Sequence, residues 1–167
     1  MTAASHRRST RPVRLTLAAS PCDGLDGAWW PRTSSMALEL PELIEALRDS
    51  LGAVVDIQVN WSSANAVPDL DMLTRRGVAA IPGWKNRPQR VMSLTGERGR
   101  ANLLVVPSAT TSALAMMVLR HAAGLPVDSR HSDSAQNLAA CDIVQAARAV
   151  CTRQVSGAEA TPSSSRS

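Results

Sequence analysis

The chain has 167 residues, enough for one domain with a core and two tails and too few for two domains. With 44% hydrophobic and 19% charged residues and no run of 18 apolar ones, it reads as a globular protein, neither disordered nor membrane-spanning. The net charge of +4 resides in the N-terminal stretch, where Arg7, Arg8, Arg11 and Arg14 occur with no acid, so the body is neutral and its overall charge gives no reason to expect an acidic partner.

Residues 1–12 are polar, Arg-rich and without periodicity, and are expected to form a disordered tail. Val13, Leu15 and Leu17 alternate with Arg14 and Thr16, the pattern of a half-buried strand that should end at Pro21. The apolar section here, Val13 to Ala19, is interrupted twice and falls short of an export signal. Pro21 also suits a lipid anchor at Cys22 poorly, so the cytoplasm is the expected location.

Phe and Tyr are absent, so Trp29, Trp30, Trp61 and Trp84 carry all aromatic packing. The first two fall in LDGAWWPR, Leu25–Arg32, which reads as a loop with an Asp26-Gly27 turn and a stiff exit at Pro31. Its structural reading puts one indole in the core and the other at the sheet edge, with Arg32 paired to Asp23 or Asp26. Its functional reading is a recognition ledge in which Asp26, Trp29, Trp30 and Arg32 grip a small ligand or a partner chain.

Leu40, Leu43, Ile44, Leu47 and Leu51 then recur at helical spacing, with Glu42, Glu45, Arg48 and Asp49 on the other face. Pro41 suits the first turn of this helix and Gly52 its stop. Val55, Ile57 and Val59 alternate with Asp56, Gln58 and Asn60, predicting a second strand. Trp61 to Thr74 reads as a loop with at most a short edge strand, and Gly77–Ile81 as a strand ended by Pro82-Gly83. RVMSL and ANLLVV flank a Gly-containing turn and predict a hairpin whose second arm, with Leu103 to Val106, is central and ends at Pro107.

A helix follows Ser108, Thr110 or Thr111 as N-cap and ends at Gly124. Its Ala113–Leu119 section is apolar all round, and a third helix from Asp133 to about Thr152, capped from the HSDS segment His131–Ser134, could cover the surplus. A homodimer contact is the alternative cover. The fold class is therefore α+β, a mostly antiparallel sheet of about five strands packed with two helices plus a C-terminal helix. Residues 13–124 form the single domain, 125–153 a linker and appended helix, and 154–167 a tail.

The segments Gly27–Arg32 (Gly-Ala-Trp-Trp-Pro-Arg), Glu39–Pro41 and Leu103–Pro107 resemble, in this order, a family of small uncharacterised actinobacterial proteins known as a domain of unknown function. The resemblance runs from about Val13 to Arg120; Thr33 stands where Ser is expected and Ser108 where a second Pro often falls. It implies a fold and no activity, so it supplies no catalytic residue.

No chemistry is announced by spacing. Cys22, Cys141 and Cys151 lack metal-type intervals, and the last two would sit about 15 Å apart on one helix, too far to bridge. His6 and His121 have no second ligand nearby, so no metal or cofactor is expected. Asp23 with Asp26, or Asp69 with Asp71, read as capping or solvated acids. The basic stretch 75–100 gives a nucleic-acid alternative through Arg75, Arg87, Arg98 and Arg100, and an enzyme with a site beside Arg32 is the other. The favoured expectation is a non-enzymatic protein that binds an unknown protein or small ligand through the Trp-Trp-Pro-Arg surface, away from any membrane.

Overall fold

Side chains alternate across an extended strand, so two adjacent tryptophans in a strand must enter opposite faces of its sheet. The computed structural model describes residues 13–22, 24–62, 69–76, 89–126 and 134–159, and in it LDGAW is a strand. β1 (Leu15–Cys22) and β2 (Leu25–Trp29) form a tight hairpin around Gly24, whose φ of +80° suits glycine. The turn glycine is therefore Gly24, ahead of the expected Asp26-Gly27, which is inside β2. β1 also runs past Pro21, which an edge strand tolerates because one side of it makes no ladder bonds.

After β2 come α1 (Met36–Leu51), β3 (Val54–Val59), α2 (Asp71–Arg76), the hairpin β4 (Val91–Gly96) and β5 (Arg100–Val105), then α3 (Ser112–Ala122) and α4 (Ala135–Glu159). The sheet order is β1-β2-β5-β4-β3, antiparallel except for β2 beside β5. The α+β expectation and its β4–β5 hairpin hold; the parallel pair is new. α1 starts earlier than its leucine stripe suggested, so Pro41 lies inside it. The missing proline N–H leaves the carbonyl of Ala37 without its helical donor, and exposed Ala37 can turn that oxygen to water. Gly52 ends the helix as expected, with φ +72° and its N–H donating to Arg48 O at 2.9 Å. α2 occupies part of the stretch read as loop, while Gly77–Ile81 and Trp84 lie outside the described residues.

The sheet separates two dry interiors. On one face Leu43, Leu47 and Leu51 of α1 pack on Met92, Leu94, Leu103 and Val105 around Trp29. On the other, α2, α3 and α4 pack on Val91, Leu104 and Val106 around Trp30. Val105 joins Leu43 and Leu47 while Val106 joins the other interior, pointing the opposite way as strand alternation requires. Both indoles are buried, at 2% and 5% exposure, so neither serves as an edge plug. α4 covers the apolar surplus of α3 through Ala140, Ile143, Val144 and Ala147, and Ser134 Oγ caps it by accepting from Asn137 N at 3.1 Å.

Because the indoles serve different interiors, Trp29→Phe and Trp30→Phe should destabilise independently. Chemical denaturation of the two single variants and the double is expected to give a coupling below about 0.5 kcal/mol, and a larger one would mean a shared cavity. At Gly27 a Cβ would fall on the Thr16 carbonyl across the hairpin, so Gly27→Ala should cost about 3 kcal/mol or more in the same assay.

Candidate functional site

The strand directions sort the loops between two ends of the sheet. Because β2 and β5 run parallel, the segments that follow them, Trp30–Ser35 and Val106–Thr111, emerge at the same end, where β1 and β4 begin and β3 finishes. Arg14, Arg32, Glu39, Trp61 and Arg90 gather there. Gly24, Gly52, Arg98 and Arg100 mark the other end.

At the first end Arg14 fixes the Trp-Trp-Pro-Arg segment. Its guanidinium lies 3.6 Å from the centre of the Trp30 ring, Nε donates to Trp30 O at 3.0 Å and Nη2 to Pro31 O at 2.8 Å. Glu39, one turn into α1, accepts from Arg32 N at 2.7 Å, Thr33 N at 2.9 Å and Thr33 Oγ1 at 3.0 Å. Burial raises the Glu39 carboxyl, but these three bonds and the Arg14 charge outweigh it and hold the group below its ordinary value. Burial and neighbouring Arg32 disfavour the Arg14 charge, which Glu39 partly restores.

Across from this segment, Asn60 locks the end of β3 to the start of β4. Its Nδ2 donates to Gln89 O at 2.7 Å and its Oδ1 accepts from Val91 N at 2.9 Å. That clamp sets Trp61 beside Arg90, whose guanidinium sits 5.2 Å from the indole centre and whose charge burial disfavours. Between the two sides opens a cleft of ≈ 230 Å³, bounded by Pro31, Thr33, Ser34 and Met36, by Trp61, Ser62 and Arg90, and by Val105–Ser108. Trp30 Nε1 and Thr110 Oγ1, on the two loops that follow the parallel strands, are buried without a hydrogen-bond partner.

The structure does not bring the expected ledge residues together. Trp29 and Trp30 are inside, Arg32 stands at the cleft end, and Asp26 lies at the far end of β2, too distant to pair with Arg32. Asp26 Oδ2 instead accepts from Asn102 N at 2.7 Å, one residue before the β2–β5 ladder begins, while Asn102 bonds Gly24 O and Ser93 Oγ. Burial raises the Asp26 carboxyl more than the Asn102 N–H lowers it. Asp71 accepts from Thr111 N and Oγ1, a capping acid as expected. Asp23 lies outside the described residues.

Of the four arginines in the nucleic-acid alternative, Arg98 and Arg100 sit at the β4–β5 turn, opposite the cleft, and Arg98 Nη1 donates to Asp49 O at 3.2 Å. Arg75 is on α2, and Arg87 lies outside the described residues. Sequence reading also missed a cluster between α3 and α4, where His121, Asn137 and Cys141 meet; intervals of 16 and 20 residues gave no spacing signal. Among the described residues, no three His, Cys, Asp or Glu side chains form a metal-type cluster, and no helix is long and apolar enough to cross a membrane.

The chain belongs to a family of unknown function, DUF5994, whose model matches residues 13–122. No curated protein and no solved structure matches it.

With the Glu39 carboxyl held low, its bonds to the loop are complete well above about pH 4.3, the unfolded value, and are lost as pH falls through the lower folded value. Acid unfolding followed by circular dichroism should therefore show stability draining through that range in the wild type. Glu39→Gln should lose part of that slope; an unchanged slope would assign it to other carboxylates.

Proposed function

We propose that this protein is a non-enzymatic binding protein that takes a small anionic ligand in the cleft beside the Trp-Trp-Pro-Arg segment. The observation that carries the reading is Arg90 set against Trp61 by the Asn60 clamp, at the end of the sheet where both parallel strands deliver their loops. A partly desolvated guanidinium beside an indole suits a carboxylate or phosphate joined to a planar apolar group. The cleft volume of ≈ 230 Å³ is below the roughly 300–1,000 Å³ of drug-sized sites, which restricts the ligand to a small molecule. The buried, unpartnered Trp30 Nε1 and Thr110 Oγ1 fit loops that reorganise around a bound polar group.

The indoles of the motif then act as supports. Trp30 and Arg14 hold the wall of the cleft, and Pro31 is the motif residue that lines it. An enzyme using a carboxylate at Arg32 is disfavoured, because both Glu39 oxygens are engaged by Arg32 N and Thr33 and are not directed at a reacting proton. In this reading Gly27–Arg32 marks the family, the source is an actinobacterium and the protein works in the cytoplasm.

Titration with benzoate, read by tryptophan emission and compared with Trp61→Phe to isolate the Trp61 signal, tests the proposal. A saturable change that Arg90→Ala weakens about tenfold or more, the scale of one charge-assisted hydrogen bond, is expected. No saturable change with benzoate or inorganic phosphate at millimolar concentration, or equal binding by Arg90→Ala, would remove the cleft from consideration.

A further inference from the structure

The cluster between α3 and α4 does not take part in the cleft. His121 ends α3; Asn137 and Cys141, one helical turn apart on α4, face it. Asn137 is 7% exposed and its Oδ1 lies 2.6 Å from His121 Nε2, so Nε2 carries the ring proton and Nδ1 keeps the lone pair. Cys141 Sγ is 3.5 Å from Nε2 and 3.7 Å from Nδ1, against the ring edge that joins them. Arg148, two turns further along the same face of α4, donates from Nη2 to His121 O at 3.4 Å, while its Nε is buried without a partner. The thiol itself is half-buried, open enough for a small reagent.

We propose that Cys141 is a nucleophilic thiol that forms mixed disulfides with small, neutral disulfides, with His121 as its proton acceptor and Asn137 as the positioning residue. Burial and Asp142 push the thiol up, and Arg148 only partly offsets them, so near neutral pH the sulfur keeps its proton and needs an acceptor to attack. In the step, the thiol proton passes to His121 Nδ1 as Sγ bonds to one sulfur of the incoming disulfide. The disulfide's own S–S bond breaks, and its departing sulfur takes the proton back from Nδ1 and leaves as a thiol. Cys141 is oxidised and the departing sulfur reduced, with no other reagent.

Disulfide is favoured over an acyl or phosphoryl group by the surroundings. Sulfur attack on sulfur needs no array of donors for a developing oxyanion, and the polar groups here are already engaged: Asn137 by the ring and Arg148 Nη2 by a carbonyl. The charged groups that act on the thiol are Asp142 and Arg148 of α4, of opposite sign, which favours a neutral reagent. Cys151 cannot resolve the product. It is buried, lies about 15 Å along the same helix, and its thiol is pushed up to about 11 by burial and by Asp26. Release needs an external thiol.

The test uses the reduced full-length protein, a neutral pyridyl disulfide, and peptide mass spectrometry to follow each cysteine separately across pH. Cys141 should react faster than Cys151, with a pH–rate profile that bends below the thiol range because the proton is handed to an acceptor. Plain thiol ionisation would keep climbing to about pH 9 and beyond. His121→Gln should slow Cys141 about tenfold or more at neutral pH. Asn137→Ala should slow it less and move the bend in the pH profile. A Cys141 rate that only climbs through the thiol range, or that His121→Gln leaves unchanged, overturns the proposal; should that variant fail to fold, the wild-type pH profile decides.

Discussion

The structure depends on one constraint, the placement of Trp29 as the last residue of β2 and of Trp30 directly after it. Alternation sends one indole under α1 and the other under α2, α3 and α4, so both faces of the sheet must be covered by helices. In a chain without Phe or Tyr these two rings are the largest buried groups among the described residues, and each helical layer packs about one of them. Gly27 completes the arrangement by letting the β1 backbone approach β2 where any side chain would meet Thr16. The motif is thus a two-sided anchor that holds neighbouring segments in place.

What it holds is the end of the sheet. Pairing β2 with β5 in parallel puts the Pro31–Ser34 and Val106–Ser108 segments on the same side and creates a gap that an all-antiparallel meander of these strands would not leave. Arg14 and Glu39 then stiffen one wall, through stacking and three backbone or side-chain bonds, and Asn60 stiffens the other. Arg14 places its donors on the Trp30 and Pro31 carbonyls, and Arg90 lies beside Trp61 in the lining of the cleft. Asp26 and the Arg98–Arg100 turn, at the far end, have separate roles.

α4 contributes more than cover. Its alanine-rich face lets it sit close to α3, and that closeness brings Cys141 and Asn137 to His121 while Cys151 is carried into the core beside Gly24. Two cysteines of one helix therefore live in opposite chemical settings, one half-open beside an imidazole and the other buried near a carboxylate.

The sequence by itself determined the leucine stripe of α1, the β4–β5 hairpin and the Gly52 and Gly124 helix ends; it also located β3, but not its burial, since Val55 and Val59 are exposed and Ile57 alone of the three alternating residues packs on the core. It left Asp71 as a capping or solvated acid and the apolar surplus of α3 to a third helix or a second copy, and the structure puts Asp71 on Thr111 and α4 on the surplus. Only the tertiary structure decided that LDGAW is a strand, that it lies parallel to β5, that Val105 and Val106 serve different interiors, and that Asp26 is parted from Arg32. A Gly and an Asp inside β2 imitate a turn, and their real partners, Thr16 and Asn102, are supplied by other strands. Periodicity reports which side of an element is dry, because that is a property of neighbours along the chain; pairing reports which distant segment supplies the dry surface, and that is settled by competition among all of them once the chain has collapsed.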